Sequence, residues 1–223
     1  MNHLLFFILG ALDAIAALTI ALTVFRFPLR PYLGPILIIA VSASLLSCLN
    51  RLVLHIPQWD MLSQIILFIV LLRLLVRVRW HESAAMTAVG FVFLVLVVNL
   101  TFILLTPLQL FEQSDIVRST GADIYLFQAF IQAVCFLTSY ILHRGRYGFT
   151  SIVIPTNNHV IAQKSSPLDK LITGASIISS VLIVLAFNWV WRHHESITIV
   201  MPIIAVALFI LIRLTYQKEL QES

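Results

Sequence analysis

The sequence has few charged residues: only 11% of its 223 residues are Asp, Glu, Lys or Arg, whereas 60% are hydrophobic. A soluble domain of this length needs more polar surface than these numbers allow. The mean hydropathy of +1.00 therefore excludes an ordinary soluble enzyme or binding domain. It predicts an integral, multi-pass protein of the cell membrane.

Cysteine and catalytic motifs are scarce as well. The two cysteines, Cys48 and Cys135, both fall inside hydrophobic stretches, where we expect small core residues rather than a disulfide or a zinc site. The sequence contains no HExxH, GxSxG or P-loop motif. His193-His194-Glu195 is the most compact histidine group, but adjacent histidines on a turn point in different directions. We therefore expect no enzyme activity, cofactor or metal in this chain.

Glycine and proline, with seven and eight residues, are scattered and do not form linkers. Without repeats, low-complexity tracts or charge runs, we expect one transmembrane domain over residues 1–223. Residues 143–170, the longest polar segment, are expected to form a cytoplasmic loop. The N-terminus lacks a basic region and holds Asp13 within its apolar run, so we expect a permanent helix rather than a cleaved leader.

Hydrophobic stretches of membrane length fill most of the chain. They predict an all-α, polytopic helical membrane protein with about seven transmembrane helices. The third stretch is the shortest, and without it the count would be six. The predicted spans are about Leu4–Phe25, Tyr32–Asn50, Met61–Val78, Ser83–Thr106, Ala122–Leu142, Leu168–Trp191 and Ser196–Tyr216.

The basic residues predict the orientation. Most of the 14 Lys and Arg flank the ends of hydrophobic stretches, so the net charge of +4 reports topology rather than nucleic-acid binding. With seven spans, all but Arg51, Arg118 and Arg192 fall on one side. The positive-inside rule then places the N-terminus outside and the C-terminus in the cytoplasm. Residues 215–223 are expected to begin a cytoplasmic linker helix.

The fifth stretch carries one continuous polar stripe. Tyr125, Gln128, Gln132, Cys135 and Ser139 recur at steps of three and four residues, which places them on one face of a helix. A glutamine exposed to lipid is costly, so this face is expected to look into protein or water.

Further polar residues are predicted at a similar depth, in the extracellular half. Together with the loop 108–123 they predict an outward cavity for a peptide or small amphiphile. The alternative is that these side chains bond neighbouring helices, as polar groups in membrane bundles often do. The candidate ligand-binding residues are Tyr125, Gln128, Gln132, Asn99, Asn188 and His55.

Three residues are candidates for signal transmission or for an intramembrane charge. Asp13 places a carboxylate near the middle of the bilayer, at a cost of about 2.5–3.5 kcal/mol on insertion scales. It is expected either to relay protons or to pair with an amide or with Arg73. Pro202 is expected to kink the last span or to lie in its first turn.

The general architecture resembles a known sensor family. A fifth helix followed by RYGFTSIVIP, and a last helix ending in IRLTYQKELQES, resemble the membrane sensor domain of accessory-gene-regulator-type (GHKL) sensor histidine kinases of Gram-positive bacteria. The resemblance implies a two-component, quorum-sensing receptor whose membrane half binds a secreted peptide. The residues present include no phosphoacceptor helix, Asn-box or ATP lid, so a cytoplasmic kinase module would be supplied separately.

The sequence thus predicts a signal-sensing transmembrane domain, with a small transporter or immunity-type membrane protein as the alternative. In the alternative, Asp13, Arg73 and Asn99 would form the pathway. The expected partners are the lipid bilayer, a secreted peptide or small amphiphile and a kinase module, with homodimer formation left open. No nucleic acid is expected.

Overall fold

The structure, a computed structural model, describes residues 2–105, 122–149, 167–192 and 197–222. In these ranges the chain forms helices and turns, and it contains no β-strand. Lipid favours this architecture because helices satisfy their own backbone hydrogen bonds. The long helices are α1 Asn2–Val24, α2 Leu33–Cys48, α3 Asp60–Leu71, α4 Trp80–Leu105, α5 Ala122–Arg144, α6 Pro167–Arg192 and α7 Ile197–Glu222.

Six segments are long and apolar enough to cross a membrane. Two of them extend a helix through a π-helical turn, Leu49–Val53 after α2 and Leu72–Val76 after α3. The seventh predicted span corresponds to α7; its crossing of the membrane and the predicted orientation stay predictions. The six segments are Leu4–Val24, Arg30–Val53, Pro57–Val76, Trp80–Leu104, Tyr125–Arg144 and Leu168–Ala186.

The predicted loop 143–170 is shorter than expected at both ends. Helix α5 continues to Arg144, and α6 begins at Pro167. Proline suits the first turn of a helix because its missing N–H would have no partner there. Residues 150–166 of this loop, and residues 108–121 of the predicted loop 108–123, lie outside the described ranges.

Consecutive helices run in opposite directions. Residues from the end of α1, the beginning of α4 and α6 and the end of α7 meet around one cavity. We call this side the basic end, because Arg26, Arg73 and Arg144 also lie there. The opposite side is the far end, where Asn188 near the end of α6 contacts the turn before α3.

Helix α1 lies between α2, α4 and α5 and packs against all three. Its small side chains allow close approach, as is common between membrane helices. A Cβ on Gly90 of α4 would lie 2.7 Å from the carbonyl oxygen of Ala17 and 3.2 Å from the Cβ of Ala21. On another face of α1, Ser44 of α2 donates a hydrogen bond to the carbonyl of Phe7 at 2.6 Å.

The segment after α5 is attached to the end of α1. Gly148 has φ +139°, and a Cβ there would lie 2.5 Å from the carbonyl oxygen of Val24. The backbone N–H of Phe149 donates to that same oxygen at 2.7 Å, and its ring packs on Phe25 at 6.4 Å between centroids. Only glycine fits this combination of positive φ and close backbone contact.

The outward faces of the bundle are apolar. Large side chains on several helices are more than half exposed, which suits contact with lipid tails rather than with water. Representative exposed residues are Leu37, Leu104, Leu137, Ile178 and Phe209.

Candidate functional site

The polar stripe of α5 faces into the protein. Gln132, Cys135 and Ser139 are 4%, 0% and 2% exposed, whereas Leu137 on another face of the same helix is 60% exposed. Cys135 packs with Ile131 and with apolar residues of α1 and α4. The stripe therefore lies on the side of α5 that contacts α1, where a polar group needs a partner.

Gln132 supplies that polar contact. Its amide nitrogen donates to the carbonyl oxygen of Leu9 at 3.0 Å and to the carboxylate of Asp13 at 2.8 Å. One side chain of α5 thus bonds both the backbone and the carboxylate of α1. Of the two partners predicted for Asp13, the structure places the amide beside it.

Arg73 lies elsewhere, at the basic end. Its guanidinium donates to the carbonyl oxygen of Val78 at 2.8 Å and lies 6.0 Å from the ring centroid of Trp80. These contacts stabilise the turn between α3 and α4, which is compatible with an anchor at the membrane interface.

The other predicted ligand-binding residues are near the far end, where the structure does not join them into one hydrogen-bonded site within the described ranges. Asn99 donates to Val95 of its own helix. Asn188 donates to Val184, and more weakly to the carbonyl of Gln58 at 3.4 Å.

The remaining candidates differ in exposure. Gln128 is half-buried, and His55 is exposed in a turn with φ +54°. The buried hydroxyl of Tyr125 has no hydrogen-bond partner in the part of the chain that the structure describes. Pro202 lies exposed inside α7, which continues on both sides of it.

A polar network near the far end joins α2 to α3 and was not predicted. Asp60, which is fully buried, accepts hydrogen bonds from Arg51 at 2.5 Å, Ser47 at 3.0 Å and Gln64 at 3.2 Å. Arg51 and Asp60 stand on the two sides of the α2–α3 turn, so their opposite charges were a usable signal. The bonds of Ser47 and Arg51 to Asp60 hold α2 and the turn after it against α3, which indicates a structural role.

A second unpredicted group lies at the basic end, and we call it the basic-end cluster: His81, Glu82, Asp169 and Lys218. The ammonium of Lys218 lies 2.9 Å from Oδ1 of Asp169, and both side chains are only 8% exposed. Nε2 of His81 lies 3.9 Å from the same oxygen. The cluster joins the beginnings of α4 and α6 to the end of α7.

The two carboxylate oxygens of Glu82 have different surroundings. Its Oε2 accepts a hydrogen bond from the backbone N–H of Arg79 at 2.9 Å, which caps the beginning of α4. Its Oε1 is buried and has no hydrogen-bond partner among the described residues, and the same holds for Nε2 of His81. In the sequence, a glutamate three residues after a helix cap indicates the capping contact of Oε2, whereas nothing indicates that Oε1 is unpaired within the described ranges.

The described residues contain no group of three or more His, Cys, Asp or Glu side chains arranged to hold a metal ion. Gln132 with Asp13 and Lys218 with Asp169 are two of the polar contacts that join separate helices. Comparison with known proteins adds no identification: no family model, curated protein or solved structure matches this chain.

Proposed function

We propose that this chain is a signal-sensing membrane domain that binds a secreted peptide or small amphiphile. The observation that carries the proposal is the contact of Gln132 with both Leu9 and Asp13. Hydrogen bonds between membrane helices are worth only about 0.6 kcal/mol on average. A ligand that offers its own amide or carbonyl to either side can therefore compete for this contact, and so favour a second arrangement of α1 and α5.

A second polar group, the hydroxyl of Tyr125, supports binding of the ligand in the same half of the bundle. The hydroxyl of Tyr125, on the stripe of Gln132, is buried and without a partner among the described residues. Leaving such a group unsatisfied costs about 1–3 kcal/mol. A ligand that bonds this hydroxyl recovers the loss, which favours an amphiphile with polar atoms spaced along an apolar body.

Helix α7 suits the output step. It continues as a helix from Ile197 to Glu222 with Pro202 inside it, and a proline removes one backbone hydrogen bond and favours bending there. In the proposed mechanism, α7 passes the change to a cytoplasmic kinase module of a two-component, quorum-sensing system. This chain itself then performs no catalysis.

The alternative, a small transporter or immunity-type protein, is favoured by one observation, the intramembrane carboxylate of Asp13. Its other proposed pathway residues support it less. Arg73 donates to Val78 at the basic end, and Asn99 donates within its own helix. Neither contact continues the polar path from Asp13.

The first experiment tests the binding region. The chain is fused through α7 to a cytoplasmic reporter kinase and exposed to the peptide fraction of spent medium from the source organism. We expect Gln132→Leu to abolish the response, because the switchable contact is gone. Phe130→Leu, on the exposed face of the same helix, is the matched control and should respond normally.

The second experiment tests the output helix. Two glycines inserted after Gln217 should uncouple the reporter, because glycine makes the helix flexible at that point, while Pro202→Ala should shift the resting signal. A normal response from the glycine variant and from Gln132→Leu would contradict the proposal. Solute uptake in proteoliposomes that is lost in Asp13→Asn would support the transporter instead.

A further inference from the structure

The basic-end cluster connects three helices through buried charge, and the mechanism above does not use it. We infer that it is a clamp with two states. In the closed state, seen in the structure, the end of α7 lies on α4 and α6. In the open state the last turns of α7 leave these helices and the cluster is hydrated.

The closed state includes a buried charged contact between α6 and α7. Lys218 of α7 and Asp169 of α6 lie 2.9 Å apart and are almost completely removed from solvent. Thr215, one turn earlier on the same face of α7, is 3% exposed, whereas Tyr216 on the opposite side is 53% exposed. The end of α7 is therefore held along a single face.

The closed state also carries a cost that opening removes. The carboxylates of Glu82 and Asp169 and the ammonium of Lys218 are all buried. Oε1 of Glu82 and Nε2 of His81 have no hydrogen-bond partner within the described ranges. Buried charges and unsatisfied polar atoms are stabilised by contact with water, so hydration favours the open state.

The space inside the clamp is consistent with this balance. The cluster borders a cavity of about 10 Å³, together with Phe25 and Thr215. That volume is close to the minimum for a single water molecule. The closed clamp is therefore too small to hydrate its charged groups as bulk water does, and full hydration requires α7 to move.

The clamp does not depend on what the protein senses, because either a sensor or a transporter can use a movable α7. Its test accordingly needs no ligand. In a background with Cys48→Ser and Cys135→Ala, a reporter thiol is placed at Thr215→Cys, inside the clamp. The matched control is Gln217→Cys, two residues further and exposed.

The measurement is the rate of maleimide labelling in lipid nanodiscs. Labelling of a buried thiol follows the population of the open state. We expect Lys218→Met to accelerate labelling of Thr215→Cys by about tenfold or more, and to change Gln217→Cys by less than about twofold.

A second variant covers the case in which Lys218→Met does not fold. Asp169→Asn combined with Lys218→Met removes both members of the buried ion pair and leaves the carboxylate of Glu82 buried, so this neutral pair should fold and also label faster at position 215. If the folded neutral pair labels Thr215→Cys as slowly as the parent, the clamp is refuted.

Discussion

Replacing Gly90 by alanine should destabilise the protein, because the close approach of α4 to α1 leaves no room for a methyl group. A Cβ at this position would lie 2.7 Å from the carbonyl oxygen of Ala17, where ordinary contact begins at 3.4 Å. The obstacle is backbone rather than the flexible end of a side chain. One of the two helices must therefore move by several tenths of an ångström.

The expected loss follows from two opposing terms. Overpacking of a core typically costs about 1–3 kcal/mol, while alanine favours a helix over glycine by about 1 kcal/mol. The net destabilisation of Gly90→Ala should then be at most about 2 kcal/mol. For a protein of this size that lowers the melting temperature by up to roughly 8 °C.

Gly174→Ala is the matched control. Gly174 lies in the interior of α6, and a Cβ there meets no atom within 4 Å. Only the helix-propensity gain applies, so its melting temperature should equal or exceed that of the parent. Both variants are compared by thermal unfolding in one detergent at one scan rate, since irreversible unfolding depends on the rate. A Gly90→Ala protein that melts with or above Gly174→Ala would refute the close α1–α4 packing.

Three further predictions follow from other parts of the molecule. If basic residues set the orientation, a cysteine at Ser114 should react with an impermeant reagent in intact cells and a cysteine at Ser151 should not. The reverse labelling pattern would show that the predicted orientation is inverted. Asp60→Asn should lower the free energy of unfolding by about 1–3 kcal/mol because Arg51 loses its charged acceptor, and unchanged denaturation in detergent would argue against the network. Gln132→Leu removes two interhelical hydrogen bonds and should cost about 1.2 kcal/mol and at most about 3.4 in the same assay, so a much larger loss would indicate a role in folding rather than in switching.

Helix positions were largely predictable, because lipid requires continuous helices of limited length. The first turn of α6 at Pro167 and the apolar run of α5 are local features, visible in any short window. The helices that pack against one another were not predictable. The alanines of α1 indicate that another helix can come close, but nothing in their spacing indicates Gly90 rather than a glycine of another helix.

The candidate site was predictable in the same partial way. The steps of three and four residues placed Gln132 on an inward face of α5, and its burial agrees with that. To choose between an amide and Arg73 as the partner of Asp13, one must know how deep each residue lies in the bundle. Arg73 lies at the basic end, where it contacts Val78 and Trp80. Hydropathy and charge counts do not compare depths between helices with enough accuracy to decide this.

The basic-end cluster was missed because each of its charges has a sufficient local explanation. Asp169 near the beginning of a helix suits the helix dipole, and Lys218 beyond an apolar stretch suits the positive-inside rule. Their contact joins the beginning of α6 to the end of α7, two places that are distant in the sequence. Such a pair becomes visible only when the fold is known.

The position of α1 between α2, α4 and α5 has a consequence for synthesis of the protein. Asp13 and its amide partner Gln132 are 119 residues apart, and a ribosome adds about 5–20 residues per second. For roughly 6–24 s, α1 therefore exists with its carboxylate but without the helix that bonds it. During that interval the carboxylate must be solvated by water or by other polar groups at the site of insertion, so assembly of α1 into the bundle waits for α5.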